Sequence, residues 1–173
     1  SVEPFTRIEL MLLDPSCSGS GMERHLENSE RMALYSEQIS KMGRSGVDRF
    51  ALEVSANSSG EAHQPNRLHA LAAIQLQLLL HALSFSSARR VSYSTCSVHP
   101  IENEFVIAAA AQDGAVRRAG WQLIRAMPQW PCGGLPVFLG TEACARTGPE
   151  WLTNGFFFSL FERNTITPAQ KEA

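Results

Sequence analysis

Short apolar runs alternate with longer helical patterns along this chain. Arg7-Ile-Glu-Leu-Met-Leu-Leu13 is the first run, and Asp14-Pro15 stops it. An apolar run bounded by turn residues predicts a central parallel strand. A small-residue loop follows from Ser16 to Gly21. The stretch from Met22 to Pro65 is polar and heterogeneous, with one helix expected within Glu30–Ser40 and a flexible loop over Asn57–Pro65. Asn66 is positioned to cap a long helix reaching about Phe85. Leu and Ala cover most of that helix's circumference, which predicts a well-buried helix.

Arg89 to Thr95 predicts a second strand, Cys96 to Ile101 a loop, and Glu102 to about Gln112 a second helix with acids at its start. Gly120 to Met127 predicts a third strand and Phe156 to Arg163 a fourth, with a Pro-rich loop between them and a frayed tail after Asn164. The order strand, helix, strand, helix, strand, strand implies an α/β fold. Its sheet is mainly parallel and ends in a hairpin-like pair.

The 173 residues suit one domain. A 44% hydrophobic and 18% charged composition excludes collagen, coiled coil and a disordered chain. The net charge of -2 excludes a globally basic nucleic-acid binder, so any such contact uses a local patch. The basic residues are Arg far more than Lys, which suits phosphate recognition. Arg89-Arg90 and Arg117-Arg118 are candidate patches, and paired Arg residues are also common on solvated faces. No segment has the roughly 18 consecutive apolar residues of a membrane helix, and the N-terminus lacks a signal-peptide layout. Four cysteines with no C-x-x-C pair argue against a disulfide framework or a zinc site and for free thiols.

Two of these cysteines lie in loops leaving the carboxyl ends of adjacent candidate strands, where ligands bind in such sheets. The first loop is Asp-Pro-Ser-Cys-Ser-Gly-Ser-Gly-Met (14–22), which matches neither a dinucleotide nor a Walker loop. The second is Tyr-Ser-Thr-Cys-Ser-Val-His-Pro-Ile-Glu-Asn-Glu (93–104). A thiol just before a helix N-terminus gains thiolate stability from the helix dipole. His99 either assists Cys96 or caps the loop, and Glu102 and Glu104 favour a helix's first turn. A cysteine hydrolase built on Cys96 and His99 is a rival reading that leaves Cys17 without a role.

Together the two motifs resemble the paired signatures of the Sun-domain RNA cytosine-C5 methyltransferases, which use S-adenosylmethionine. Arg67-Leu-His-Ala-Leu-Ala72 and Gly155-Phe-Phe157 strengthen the resemblance, the former pointing to the subgroup acting on large-subunit ribosomal RNA. It covers residues 8–22, 66–112 and, more loosely, 119–163, and leaves 23–65 as a polar insertion. The resemblance implies that Cys96 adds to cytosine C6 and that Cys17 takes part in release. It implies that Asp14 contacts the base and cofactor, and that Pro15 and Ser97 line the pocket. Both sulfurs should then face one cleft beside Asp14, as thiols.

The resemblance also implies what the chain lacks. The family's Gly-rich cofactor loop and RNA-binding N-terminal part are not present in it. The chain reads as the carboxyl half of a Rossmann-like domain, family strands four to seven, inactive alone. Most of the S-adenosylmethionine site is then outside it. An exposed edge at Ile8–Leu13 would favour pairing with another copy or a partner segment, unless Met22–Pro65 covers it. The implied partner is RNA, with no membrane, and the implied location is the nucleolus in a eukaryote, otherwise the cytoplasm. The alternatives are a transfer-RNA methyltransferase and an inert fragment serving in binding or assembly.

Overall fold

The apolar runs become strands of one sheet. The structure, a computed structural model, describes residues 7–22, 67–148 and 151–164. The expected helix within 30–40, the loop at 57–65, the Asn66 cap, the insertion at 23–65 and the tail after 164 lie outside the described residues.

The strands are β1 (Leu10–Leu13), β2 (Arg90–Thr95), β3 (Trp121–Ile124), β4 (Ala145–Thr147) and β5 (Phe156–Arg163). The helices are α1 (Arg67–Ser84), α2 (Glu104–Gln112) and α3 (Gly114–Arg118). The sheet order is β1-β2-β5-β3, with β4 also on β5. β1 and β2 are parallel, and β5 is antiparallel to β2, β3 and β4. One strand therefore runs against the rest, as the pattern predicted.

α1 corrects one expectation. Its buried positions are Ala72, Gln75, Leu76, Leu79, Ala82 and Leu83, the i, i+3, i+4 spacing of a single face. Ile74 and Leu78 stand 56% and 41% exposed, so the helix is not buried all round. A polar Gln75 occupies the buried stripe that apolar residues were expected to fill. The core packs Leu76, Leu79 and Leu83 with Val91, Tyr93, Phe105, Ile107, Phe157 and Phe161. The carboxyl end of α1 is closed by side chains from β3 and β5. Trp121 Nε1 donates to the Leu83 carbonyl (2.8 Å), and Arg163 donates to the carbonyls of Ser86 (2.7 Å) and Phe85 (3.0 Å). Basic side chains suit this negative end of a helix.

The second predicted helix is divided. Pro100–Glu102 forms a 3-10 turn, Asn103 interrupts, and α2 begins at Glu104. α3 and β4 were not predicted. Asp113 caps α3, accepting from the backbone N–H groups of Ala115 and Val116.

Candidate active site

β1 and β2 end side by side, with Leu13 in register with Tyr93. The two cysteine loops therefore leave the same edge of the sheet, and the sulfurs of Cys17 and Cys96 approach to 3.2 Å. Both residues are half-buried free thiols. Asp14 is exposed beside them, where its Oδ1 accepts from Ser94 Oγ (3.2 Å), and Pro15 is half-buried. The expected juxtaposition of the two thiols and Asp14 is present. Ser97 is placed differently from a pocket-lining residue. It is 1% exposed, and its hydroxyl donates to Glu102 Oε2 (2.5 Å) while accepting from the His99 N–H (3.0 Å). His99 occupies the cap position of the 3-10 turn, but its side chain makes no capping bond. Burial holds its imidazole below the ordinary value.

Glu102 joins the two loops. Its side chain is fully buried. One carboxylate oxygen accepts from the Ser18 N–H (2.9 Å) and Gln75 Nε2 (3.0 Å). The other accepts from the hydroxyls of Ser18 (2.6 Å) and Ser97 (2.5 Å). Buried carboxylates require such partners. Gln75 Nε2 also donates to the Ser16 carbonyl (2.9 Å), and the Tyr93 hydroxyl donates to the Glu102 carbonyl (2.5 Å). The next two residues of the motif are likewise buried. Asn103 donates to the Ser97 carbonyl (2.9 Å) and accepts from Thr95 Oγ1 (2.6 Å). Glu104 receives Arg146 through two 2.6 Å bonds and the Leu135 N–H at 2.9 Å. Glu102 and Glu104 lie in the first turns of the 3-10 segment and of α2, as expected, and both also act as interior acceptors.

Gly21 ties the loops to β5. Its N–H donates to the Cys96 carbonyl (2.8 Å), and its carbonyl accepts from the Gly155 N–H (2.9 Å). A Cβ at Gly21 would lie 2.3 Å from the Gly155 oxygen and 2.6 Å from the Cys96 oxygen, so only glycine allows three backbones to meet there.

The helix dipole does not activate Cys96. Burial, followed by the hydrogen bond with Cys17 and the Cys17 charge, pushes the Cys96 thiol up to about 11. At neutral pH it is protonated. Alkylation of Cys96 by iodoacetamide should therefore be slow at pH 7 and rise with pH up to about 11. Cys17→Ala removes two of the raising influences, so Cys96 should titrate lower and react faster at neutral pH. An unshifted pH profile in that variant would contradict the assignment.

The sequence offered little warning of Gln75 and Arg146. A polar residue at a helical core position was the available signal for the first. Arg146 lies in a Pro-rich stretch with nothing to mark it. Among the described residues, no group of three or more His, Cys, Asp or Glu is placed to hold a metal, and no helix is long and apolar enough to cross a membrane.

A mainly parallel sheet with one reversed strand, and paired loops at its carboxyl edge, defines a Rossmann-like α/β protein of the methyltransferase type. No family model matches the chain. It is 36% identical over 169 residues to the mouse 28S rRNA (cytosine-C(5))-methyltransferase, covering 97% of this chain and 30% of the relative. It is also 36% identical over 159 residues to the 25S rRNA (cytosine-C(5))-methyltransferase NSUN5 of Arabidopsis thaliana, covering 92% and 24%. The solved structure of PH0851 has the same fold, with a TM-score of 0.52, 21% identity, and coverage of 90% of this chain and 26% of that one. The chain is a homologue of the rRNA (cytosine-C5)-methyltransferases, the family that its two cysteine motifs resemble. It spans less than a third of the length of these two relatives.

Proposed function

We propose that this chain carries the two-thiol part of an enzyme that methylates C5 of cytosine in large-subunit ribosomal RNA, with S-adenosylmethionine as donor. The observation that carries the proposal is the 3.2 Å contact between Cys17 and Cys96 at the carboxyl edge of β1 and β2. C5 of cytosine is a poor nucleophile. Addition of the Cys96 thiolate to C6 makes the ring enamine-like and C5 nucleophilic. Since Cys96 is protonated at rest, the attack requires its proton to leave first. Asp14 is exposed beside the thiols, where its carboxylate can pair with the N3–H or exocyclic amine of the base as charge develops. Cys17 is within reach of the same ring and serves the removal of the C5 proton and release. The base must be unpaired or flipped to enter. Ser97 enters this account as a support of the Cys96 loop.

The cofactor supplies the methyl group. Among the described residues of the two cysteine loops, Asp14 is the exposed carboxylate, and one acid does not make a site for a nucleoside and an amino acid together. The described residues therefore do not fit the whole cofactor, and we place most of its site on further chain. The strand order supports the same division, with β1, β2, β3 and β5 as the later strands of the full sheet. β1 pairs only with β2 among the described residues, and Leu10 and Leu12 are 58% and 80% exposed. An open apolar edge is a template for another strand. The 173-residue chain alone should thus associate in sedimentation experiments and bind S-adenosylmethionine weakly or not at all in calorimetry. Stoichiometric micromolar binding would show that the cofactor site is misplaced.

The proposal as a whole is tested by incubating the complete protein with labelled S-adenosylmethionine and separate RNA classes. Label at cytosine C5 of large-subunit ribosomal RNA is expected. Label on transfer RNA instead would favour the other substrate, and none on any RNA would favour a binding or assembly role. In a eukaryotic host this activity would place the protein in the nucleolus.

A further inference from the structure

We propose that Glu102 and Gln75 together are the positioning residues that hold Cys17 against Cys96. The inference rests on the reading that both thiols serve one reaction, but its geometry stands by itself. Each hydroxyl on the Glu102 carboxylate belongs to the residue following a cysteine: Ser18 follows Cys17, and Ser97 follows Cys96. The two cysteines are 79 residues apart in sequence, and their loops hang from one buried carboxylate. Ser18 Oγ lies 3.1 Å from Ser97 Oγ, the spacing of two hydroxyls that donate to the same carboxylate oxygen.

Gln75 fixes where the carboxylate lies. From the buried stripe of α1 it donates to Glu102 Oε1 and to the Ser16 carbonyl, one residue before Cys17. These two acceptors on one nitrogen set the orientation of the amide. Neither side chain is exposed, so neither touches a base. Moving this carboxylate would part the sulfurs while leaving each one accessible. A shift of about 1 Å in such a site changes reaction rates by orders of magnitude.

The test uses dibromobimane, which fluoresces once it has bridged two neighbouring thiols, on the reduced 173-residue chain with peptide mapping of the products. The wild type should bridge Cys17 to Cys96. Glu102→Ala and Gln75→Leu should bridge about tenfold more slowly. Glu102→Gln keeps the shape and one acceptor oxygen for the Ser18 N–H and Gln75, and its amide N–H groups can donate to the Ser18 and Ser97 hydroxyls, so it should retain most of the bridging. Single-site alkylation of Cys17 and Cys96 should persist in all variants. Buried Cys144 should stay protected, which reports an intact fold. If Glu102→Ala exposes Cys144, Gln75→Leu and Glu102→Gln decide the matter. Bridging at the wild-type rate in folded variants would overturn the inference. So would a loss seen only together with Cys144 labelling. Expected bridging alongside full methylation by a Cys96→Ala protein would instead overturn the proposed chemistry and leave this positioning role standing.

Discussion

Cys17→Ala should convert the complete protein into one that remains linked to its RNA. In the proposed chemistry addition to C6 requires Cys96 alone, so the adduct should still form and be methylated. Loss of the group that serves proton removal and release then slows turnover by about 10²–10⁴-fold, the usual worth of a positioned acid–base group. The linked species should appear as a shifted band that survives denaturation. Cys96→Ala should give neither methylation nor any band, including on RNA containing 5-azacytidine. The double variant should behave like Cys96→Ala, because without addition there is nothing to release. The 3.2 Å approach of the sulfurs is what makes this order of events possible on one ring. Normal turnover by Cys96→Ala would refute the assignment of the nucleophile.

Arg146→Met should have the largest effect on stability. Glu104 is fully buried and Arg146 only 10% exposed at its side chain. The pair is bidentate, and Arg146 also donates to the Val98 carbonyl (3.2 Å) and lies over the Phe157 ring. Removing the cation leaves a carboxylate inside the protein with the Leu135 N–H as its remaining partner. Breaking one side of a buried pair in this way costs about 3–5 kcal/mol. The urea midpoint should fall accordingly. Replacing both partners, Glu104→Leu with Arg146→Met, should recover most of the loss, since an apolar pair needs no compensation. A single-variant loss below about 1 kcal/mol would show the pair to be solvated in solution. The Cys96 loop should loosen in the single variant, because Arg146 holds the Val98 carbonyl two residues away.

The strands were legible where apolar runs met turn residues. Phe156–Arg163 matches its prediction in full, and Leu10–Leu13 and Arg90–Thr95 lie inside theirs. β4 was not legible because Ala145-Arg-Thr has no strand pattern of its own. Pairing with Phe156–Phe158 makes it a strand. α1 was legible as a helix but not in its burial, because composition cannot tell which apolar positions face away from the sheet. Ile74 and Leu78 look like core in the sequence, and Gln75 looks like an interruption. The place of Gln75 is set by tertiary contact with Tyr93 and Glu102, far along the chain. The cysteine pair was legible because two motifs ended two adjacent strands. The Glu102 connection was not, since an acid near a helix start has a sufficient local explanation. The raised Cys96 thiol was not legible because its causes, burial and the contact with Cys17, exist only once the two loops are folded together.

The central claim is that Cys96 attacks and Cys17 releases. Its most direct test is the site of attachment in the RNA-linked Cys17→Ala protein. After nuclease and protease digestion, mass spectrometry should find the nucleotide on the peptide containing Cys96, with the base carrying a C5 methyl group. A nucleotide on any other residue, or no linked peptide in a folded protein that binds RNA, would contradict the account.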